Sequence, residues 1–465
     1  MLKRYGVHAI AVIALLAAFL LLAVPRVSHE PYVYDEADYM YAASLGIAAN
    51  YTGMPALSLF EYLRIGTSPN ERRDLSERIR QTNDVDFYRH WHGPLFEFVL
   101  IPVAHFSRSE HDVRTWMLLV PAASLIALYF GCLSLLPEKR GFVAAVLSCT
   151  LFLSSHTVIA STELAPHHLF VLCSLCSLFL LAKAVATGRR TYWFGAVTAS
   201  ALALCTLEIG FVLVFILAAW AYLAKLPWAR SAALFLATVL IIWPAAILKL
   251  SLLKAYLAMA YLAFARTSPW GGAGFVATWR NRLFDSPVEW SLVVLGLVLY
   301  FRGCLEQHRA FHPILLYALL MMAATLRVTT EAPRYALVFM PELDLLAGLA
   351  LAPYIERMRR PTRVAVFVIL IAGICASAQV EGRSHPPAIN PRSTAVLSLL
   401  RHKHLDGKAL LVPESDLPTI HYYFPSAKLR AYYAPAPERD DESDFMPDAI
   451  LRRGYPIQLE LTDPH

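Results

Sequence analysis

Long apolar segments separated by short polar loops dominate this chain of 465 residues. A helix that crosses a bilayer needs ~20 apolar residues, with a usual range of ~17–25. Stretches of about that length predict membrane-spanning helices near residues 7–24, 113–136, 141–159, 167–186, 230–249, 287–302, 312–327, 335–353 and 363–379. The pattern is typical of a polytopic all-α membrane protein.

Two other apolar stretches are not simple spans. Residues 193–225 would far exceed a ~30 Å hydrocarbon core as one helix, because an α-helix rises ~1.5 Å per residue. Glu208 lies near the middle of this stretch, and we predict two short helices with Glu208 at the turn. Residues 94–107 form a shorter segment that carries Glu97, which predicts an interfacial helix and not a crossing.

The charges of the loops test these assignments. With them, every short loop rich in Lys or Arg falls on one side of the membrane, which the positive-inside rule makes the cytoplasmic side. The sequence then predicts about eleven crossings of a bacterial inner membrane, with a cytoplasmic amino end and a periplasmic carboxyl end. The outer face would carry residues 26–112, a loop at 160–166, a loop at 250–286 and the tail at 381–465.

Composition agrees with a membrane protein. The chain is 57% hydrophobic and 16% charged, whereas soluble domains are about 45–50% apolar and about 25% charged. The net charge is +6, but no basic tract with interleaved aromatic residues is present, so we expect no nucleic-acid partner. The long first apolar run favours an uncleaved first helix over a signal peptide.

The polar tail has a different pattern. Strand-like runs at 409–412 and 457–461 flank a helix-like piece near 417–424. We predict a small extracytoplasmic α/β domain at 381–465, which follows a transmembrane catalytic domain at 1–380. No internal repeat is visible in the sequence.

Acidic residues on the predicted outer face are the first candidates for chemistry. Asp35 and Glu36 follow the first helix within an aromatic run, and a carboxylate there can take a proton from an incoming hydroxyl group. The alternative is a solvated acidic pair. Glu163 lies in the second outer loop, just before His167, and is either a loop acid or a group that orients an acceptor or a metal ion.

His92 and Glu97 mark the end of the first outer loop. His90 and His92 are two residues apart, which is not the usual helical spacing of metal ligands. A loop that reaches the interface through Trp91 is the alternative. Glu97 lies near the apolar boundary, where a carboxylate is costly unless it has a partner.

Cations on the outer face are unexpected under the positive-inside rule. Arg114, Arg334 and Lys254 all lie near predicted outer helix ends. A guanidinium group can hold a phosphate through two hydrogen bonds, and a lipid headgroup is the alternative partner. Asp344 lies inside an apolar helix, where an acid costs about 2.5–3.5 kcal/mol, so either a packing role or a catalytic role is expected.

The ordered set of these residues resembles the GT-C glycosyltransferases, in particular the branch of the protein O-mannosyltransferases and the lipid A aminoarabinose transferase. Asp35-Glu36 match the acidic motif of the first outer loop in that family. His92-Gly93-Pro94-Leu95 match its juxtamembrane His- or Lys-Pro-Pro-Leu element, with Gly in place of one Pro. Arg114 matches the arginine at the start of the next helix.

Two later positions extend the resemblance to about residues 30–380. Glu163 corresponds to the second acidic position, where Asp is more usual, and Arg334-Tyr335 with Pro341 corresponds to a late Arg-Tyr…Pro pattern. The tail is not well covered by the resemblance.

The resemblance implies a polyprenyl-phosphate sugar donor and transfer with inversion to a hydroxyl group on a glycan, lipid or protein. It implies that Asp35 is the general base and that Arg114 and Arg334 contact the donor phosphate. Some relatives need a divalent cation and others do not, so the need for a cofactor stays open.

Two other classes of function compete with this hypothesis. A transporter or flippase of lipid-linked sugars often has internal repeats and mid-membrane sites, whereas these acids gather on one face. A non-catalytic envelope scaffold leaves Asp35, Arg114 and Glu163 unexplained.

Overall fold

The structure is a computed structural model. It describes residues 2–33, 35–52, 92–107, 109–244, 275–303, 309–326, 333–384, 391–413, 416–432, 447–452 and 457–461. Contacts between Cα atoms divide the chain into two compact units. We call residues 1–27, 115–242 and 261–387 the helical unit, and residues 28–114, 243–260 and 388–465 the mixed unit.

Helices form most of the described chain. In chain order they are α1 (Leu2–Ala23), α2 (Asp35–Thr52), α3 (Leu95–Phe106), α4 (Glu110–Met117), α5 (Leu119–Leu135), α6 (Glu138–Ser154), α7 (His156–Ala160), α8 (His167–Thr187), α9 (Arg190–Leu204), α10 (Phe211–Leu223), α11 (Trp228–Ile242), α12 (Phe275–Asp285), α13 (Pro287–Gly303), α14 (His312–Thr325), α15 (Arg334–Leu337), α16 (Met340–Arg357), α17 (Arg360–Ser384), α18 (Pro391–His402) and α19 (Leu417–Tyr423). The strands are β1 (Ala409–Pro413), β2 (Lys428–Tyr432), β3 (Ala449–Leu451) and β4 (Leu459–Leu461).

Each apolar stretch that the sequence analysis assigns to a span is mostly helical where the structure describes it, but 113–136, 141–159 and 335–353 are each divided between two helices. Three continuous helical runs within the described residues are long and apolar enough to cross a membrane, namely Gly6–Arg26, Glu110–Leu135 and His167–Thr187. The segments Phe275–Phe284 and Pro287–Arg302 add a fourth if this pair, bent by 94°, is one span. The prediction of about eleven crossings stays a prediction.

The overlong apolar stretch is folded as the sequence suggests, and the shorter one is a helix whose interfacial placement stays a prediction. Residues 193–225 form α9 and α10, which are separated by a 3-10 turn at Glu208–Gly210. A Cβ atom on Gly210 would lie 2.7 Å from the backbone nitrogen of Leu204, so only glycine fits this tight turn. Helix α3 has 12 residues and is therefore about 18 Å long, well short of the ~30 Å core.

Helices α6 and α16 pack closely within the helical unit. Arg140 at the start of α6 forms an ion pair of 2.8 Å with Glu356 at the end of α16, so the two helices run antiparallel. Gly348 of α16 lies against Ser148 and the Ala144 carbonyl of α6. Small residues at such contacts let two backbones approach each other, which is how membrane helices gain packing energy.

We predict that Gly348→Ala destabilises the protein. The added Cβ would lie 2.1 Å from Ser148 Oγ and 3.0 Å from two backbone atoms of α6, and such overpacking costs typically about 1–3 kcal/mol. Gly373→Ala is the matched control, because nothing lies within 4 Å of its new Cβ. The midpoint of thermal unfolding in detergent should fall only for Gly348→Ala, and equal midpoints would contradict this packing.

The tail residues of the mixed unit form a four-stranded sheet in the order β2-β1-β3-β4. β1 is parallel to β2 and β3, and β4 is antiparallel to β3. Helices α18 and α19 cover the sheet with apolar side chains, including Val396, Leu400 and Ile420, which pack against Leu410 and Val412. The two strands and the helix predicted in the tail are present, and the boundary at residue 381 stays a prediction.

Candidate functional site

The acidic pair lies in the first turn of α2, where negative charge interacts favourably with the helix dipole. Successive residues of a helix point about 100° apart, so the two side chains differ in their exposure to solvent. Asp35 is exposed, whereas Glu36 is 6% exposed and faces the interior of the mixed unit. Asp35 is therefore the member of the pair that a substrate can reach.

Arg114 is the partner of Glu36. Its Nε and Nη2 atoms donate hydrogen bonds of 2.9 Å and 2.6 Å to the two carboxylate oxygens. Nη1 donates to the carbonyl oxygens of Ser28 and Glu30, and Nη2 also donates to that of Pro31. All five N–H groups of the guanidinium thus have an acceptor within the protein.

The side chain of Arg114 is sealed by its surroundings. It is 3% exposed, and its Cζ atom lies 4.9 Å from the centroid of the Tyr32 ring, which is cation–π range. A donor phosphate could reach this guanidinium only by displacing protein acceptors. The geometry therefore favours a positioning role for Arg114 and Glu36 over the phosphate contact and the catalytic role that the sequence suggests.

We predict that Arg114→Lys lowers the thermal stability of the protein even without any lipid donor. A lysine cannot satisfy the carboxylate and three carbonyl oxygens together, and breaking a buried ion pair costs about 3–5 kcal/mol. Arg334→Lys is the control, because its ion pair with Glu163 is partly exposed and is worth about 0–1 kcal/mol. If both changes lower the midpoint of thermal unfolding in detergent equally, the positioning role of Arg114 is contradicted.

His92 and Glu97 lie close to α2. The ring of Tyr39 in α2 is 5.1 Å from the Phe96 ring and 6.2 Å from the His92 ring. Glu97 is 2% exposed, and burial raises its pKa to about 8. A carboxyl group that is mostly protonated at neutral pH is a poor metal ligand, because metals bind the ionised form.

A metal site is not apparent elsewhere either. In the part of the chain that the structure describes, no three His, Cys, Asp or Glu side chains are arranged to hold a metal ion. His90 and Trp91 lie outside the described residues. The need for a divalent cation therefore stays open.

A second polar cluster lies in the helical unit. Arg334 Nη1 donates a hydrogen bond of 3.4 Å to Glu163 Oε1, and the two side chains are 20% and 40% exposed. The Arg334 Cζ atom lies 5.4 Å from the centroid of the Tyr335 ring, and His167 makes an edge contact with the same ring. The second acidic position and the late arginine of the sequence are thus direct neighbours.

His168 differs from His167. Its Nε2 atom lies 2.7 Å from the carbonyl oxygen of Ser161, so this nitrogen carries a proton and donates. The contact ties the start of α8 to the loop that carries Glu163. His168 therefore supports the loop and has no exposed surface for a substrate.

Two other candidates from the sequence have different outcomes. Lys254 lies outside the described residues, so its phosphate role stays a prediction. Asp344 is fully buried in α16, with Glu289 of α13 as a neighbouring carboxyl group. This burial among helices favours a packing role for Asp344 over contact with a substrate.

Comparison with solved structures identifies the fold. ArnT from Cupriavidus metallidurans bound to undecaprenyl phosphate superposes with a TM-score of 0.58 and 14% identity, over 94% of this chain and 86% of that chain. The apo state of the same protein gives a TM-score of 0.58 and 13% identity, over 94% and 87%. The chain therefore shares its fold with ArnT.

An archaeal protein shares this fold as well. The oligosaccharyltransferase AglB from Archaeoglobus fulgidus, in complex with an inhibitory peptide and a dolichol-phosphate, has a TM-score of 0.57 and 12% identity, over 93% of this chain and 65% of that chain. No protein-family model matches the sequence, and no curated protein matches it. The resemblance stated from the motifs is thus confirmed at the level of the fold.

Proposed function

We propose that this protein is a membrane glycosyltransferase of the GT-C type. It would move a sugar from a polyprenyl-phosphate donor to a hydroxyl group of a glycan, lipid or protein at the periplasmic face of a bacterial inner membrane. The donor class is inferred from ArnT and AglB, whose structures hold undecaprenyl phosphate and dolichol-phosphate.

The observation that supports the proposal most directly is the exposed Asp35 next to the buried Glu36–Arg114 pair. A general base must be reachable by the acceptor and must keep its place. Asp35 meets the first condition because it is exposed. Asp35 meets the second because its neighbour in the chain, Glu36, is held in place by two hydrogen bonds.

In this mechanism Asp35 takes the proton of the acceptor hydroxyl as its oxygen attacks the anomeric carbon. The bond to the phosphate oxygen breaks in the same displacement, which inverts the configuration. The phosphate leaves as an anion and needs no proton, so one carboxylate is enough. Arg334 and Lys254 would stabilise the leaving phosphate through charge-assisted hydrogen bonds.

We propose that Glu163 pairs with Arg334 until the donor phosphate takes its place. Its carboxylate occupies the guanidinium group through a partly exposed ion pair, which is weak enough to exchange. The donor phosphate, on which negative charge builds up as the sugar leaves, would compete for the same guanidinium. His92 and His167 remain candidates for orienting the acceptor.

The first test is Asp35→Asn. Transfer of sugar from a lipid-linked donor by the purified protein should fall by at least ~10³-fold, because the amide cannot accept the hydroxyl proton. The amount of folded protein should stay unchanged. Asp112→Asn is the matched control, because Asp112 is also an exposed acid in the first turn of a helix. Full activity of Asp35→Asn would refute the assignment of the base.

The second test is Arg334→Ala. A hydrogen bond to a charged group contributes about 1.5–3 kcal/mol, so the KM for the lipid donor should rise by about 10–100-fold. The KM for the acceptor should change little. Steady-state kinetics with each substrate varied in turn separates the two effects, and an unchanged donor KM would remove Arg334 from the phosphate site.

A further inference from the structure

A tail residue with no match in the motif set, Tyr423, bridges two parts of the first outer loop. Its hydroxyl donates a hydrogen bond of 2.7 Å to Glu110 Oε1. The same hydroxyl accepts one of 2.9 Å from the backbone N–H of Tyr32. Burial raises the pKa of Tyr423, so the hydroxyl stays protonated and can serve both partners.

Both partners of Tyr423 lie close in the chain to candidate site residues. Glu110 lies one helical turn before Arg114 in α4, and Tyr32 lies three residues before Asp35. Arg114 fixes the carbonyl groups of Ser28, Glu30 and Pro31, and Tyr423 fixes the next amide along the chain. Residues 27–33, the described part of the segment before α2, have no regular secondary structure, so these bonds define its path.

Other tail side chains reinforce the same contact. Thr394 of α18 hydrogen-bonds the carboxylate of Glu30. The ring of His421 lies 4.3 Å from the ring of Tyr41 in α2, in an edge-to-face contact. The tail therefore contacts the segment before α2. It also contacts α2 itself at Tyr41, six residues after Asp35.

We propose that Tyr423 is a positioning residue for the Asp35 carboxylate, and that the carboxyl-terminal tail is thereby a working part of the transferase. The inference rests on the proposed function of Asp35 as general base. Tyr423 touches no substrate in this scheme. It acts by holding the backbone from which the base projects, and a displacement of about 1 Å at a reacting group can cost about 10²-fold in rate.

A purely structural role makes a different prediction. If the tail only stabilises the fold, loss of the Tyr423 hydroxyl lowers stability and leaves the turnover of the folded protein unchanged. If Tyr423 positions the base, the turnover falls in protein that is fully folded. Substrate binding should be unaffected, because neither partner of the Tyr423 hydroxyl, Glu110 or the Tyr32 amide, is assigned a substrate contact.

The test is Tyr423→Phe, which removes one oxygen atom and keeps the ring. The kcat should fall by at least about tenfold, with the KM of donor and acceptor within about twofold of wild type. Tyr422→Phe is the matched control, because the neighbouring residue contacts Tyr32 through its ring at 5.4 Å, and phenylalanine retains that ring. It should keep wild-type kinetics.

A second measurement does not depend on activity. Hydrogen–deuterium exchange of the peptide that contains residues 28–33 should become at least about tenfold faster in Tyr423→Phe, because the Tyr32 amide loses its acceptor. A double mutant of Tyr423→Phe with Glu110→Ala should lose little more kcat than either single mutant, since all three variants break the hydrogen bond between Tyr423 and Glu110.

The outcomes separate the two proposals. Wild-type kcat in folded Tyr423→Phe, or an equal loss in Tyr422→Phe, would overturn the positioning role while Asp35→Asn still lacks activity. Full activity of Asp35→Asn would instead overturn the proposed function. If exchange at residues 28–33 is unchanged in Tyr423→Phe, the bridge does not order the segment and the inference fails in either case.

Discussion

The buried ion pair of Arg114 and Glu36 is the interaction on which the candidate site depends. Taking a guanidinium and a carboxylate out of water costs several kcal/mol for each ion, and only complete hydrogen bonding offsets that cost. Arg114 achieves it with five donors and four different acceptor groups. The irregular segment at 28–33 gains donors for its carbonyl oxygens, and α2 gains a fixed starting point.

The two ion pairs of the described chain that involve candidate site residues are suited to different tasks. The Arg114–Glu36 pair is 3% and 8% exposed, so neither group exchanges its partner without a large loss of stability. The Arg334–Glu163 pair is 20% and 40% exposed and is held by one long hydrogen bond. An arginine in the second state can release its carboxylate and accept an anion from a substrate, whereas one in the first state cannot.

Most of the helices could be predicted from the sequence, because an apolar run of about 20 residues has few other stable states in a bilayer. The break at Glu208 was predictable as well, since an acid in the middle of an overlong run is costly unless the chain turns. The sequence also marked Arg114 as unusual by its predicted position outside the membrane. It could not distinguish the partners, because phosphate oxygens and backbone carbonyl oxygens both accept from a guanidinium.

The role of the tail could not be predicted for a related reason. Tyr423 and Tyr32 are 391 positions apart, and no local pattern of either residue indicates the other. The sequence shows that Asp35 and Glu36 lie within an aromatic run, but not that the Tyr32 ring packs against Arg114. Contacts between distant segments are a property of the folded chain, and a single sequence carries no direct signal for them.

These same contacts restrict the topology. Glu30 touches Thr394 and Tyr32 touches Tyr423, so in a membrane protein the segment after α1 and the tail lie on one side. The chain between them must cross the bilayer an even number of times. The ten crossings predicted after α1 satisfy this condition. If residues 94–107 were a further crossing and the other assignments were unchanged, the number would be odd. Counting residues 193–225 as one crossing would restore an even number. These residues form two helices and not one. The interfacial placement of α3 stays a prediction, and both the short length of α3 and the position of the tail agree with it.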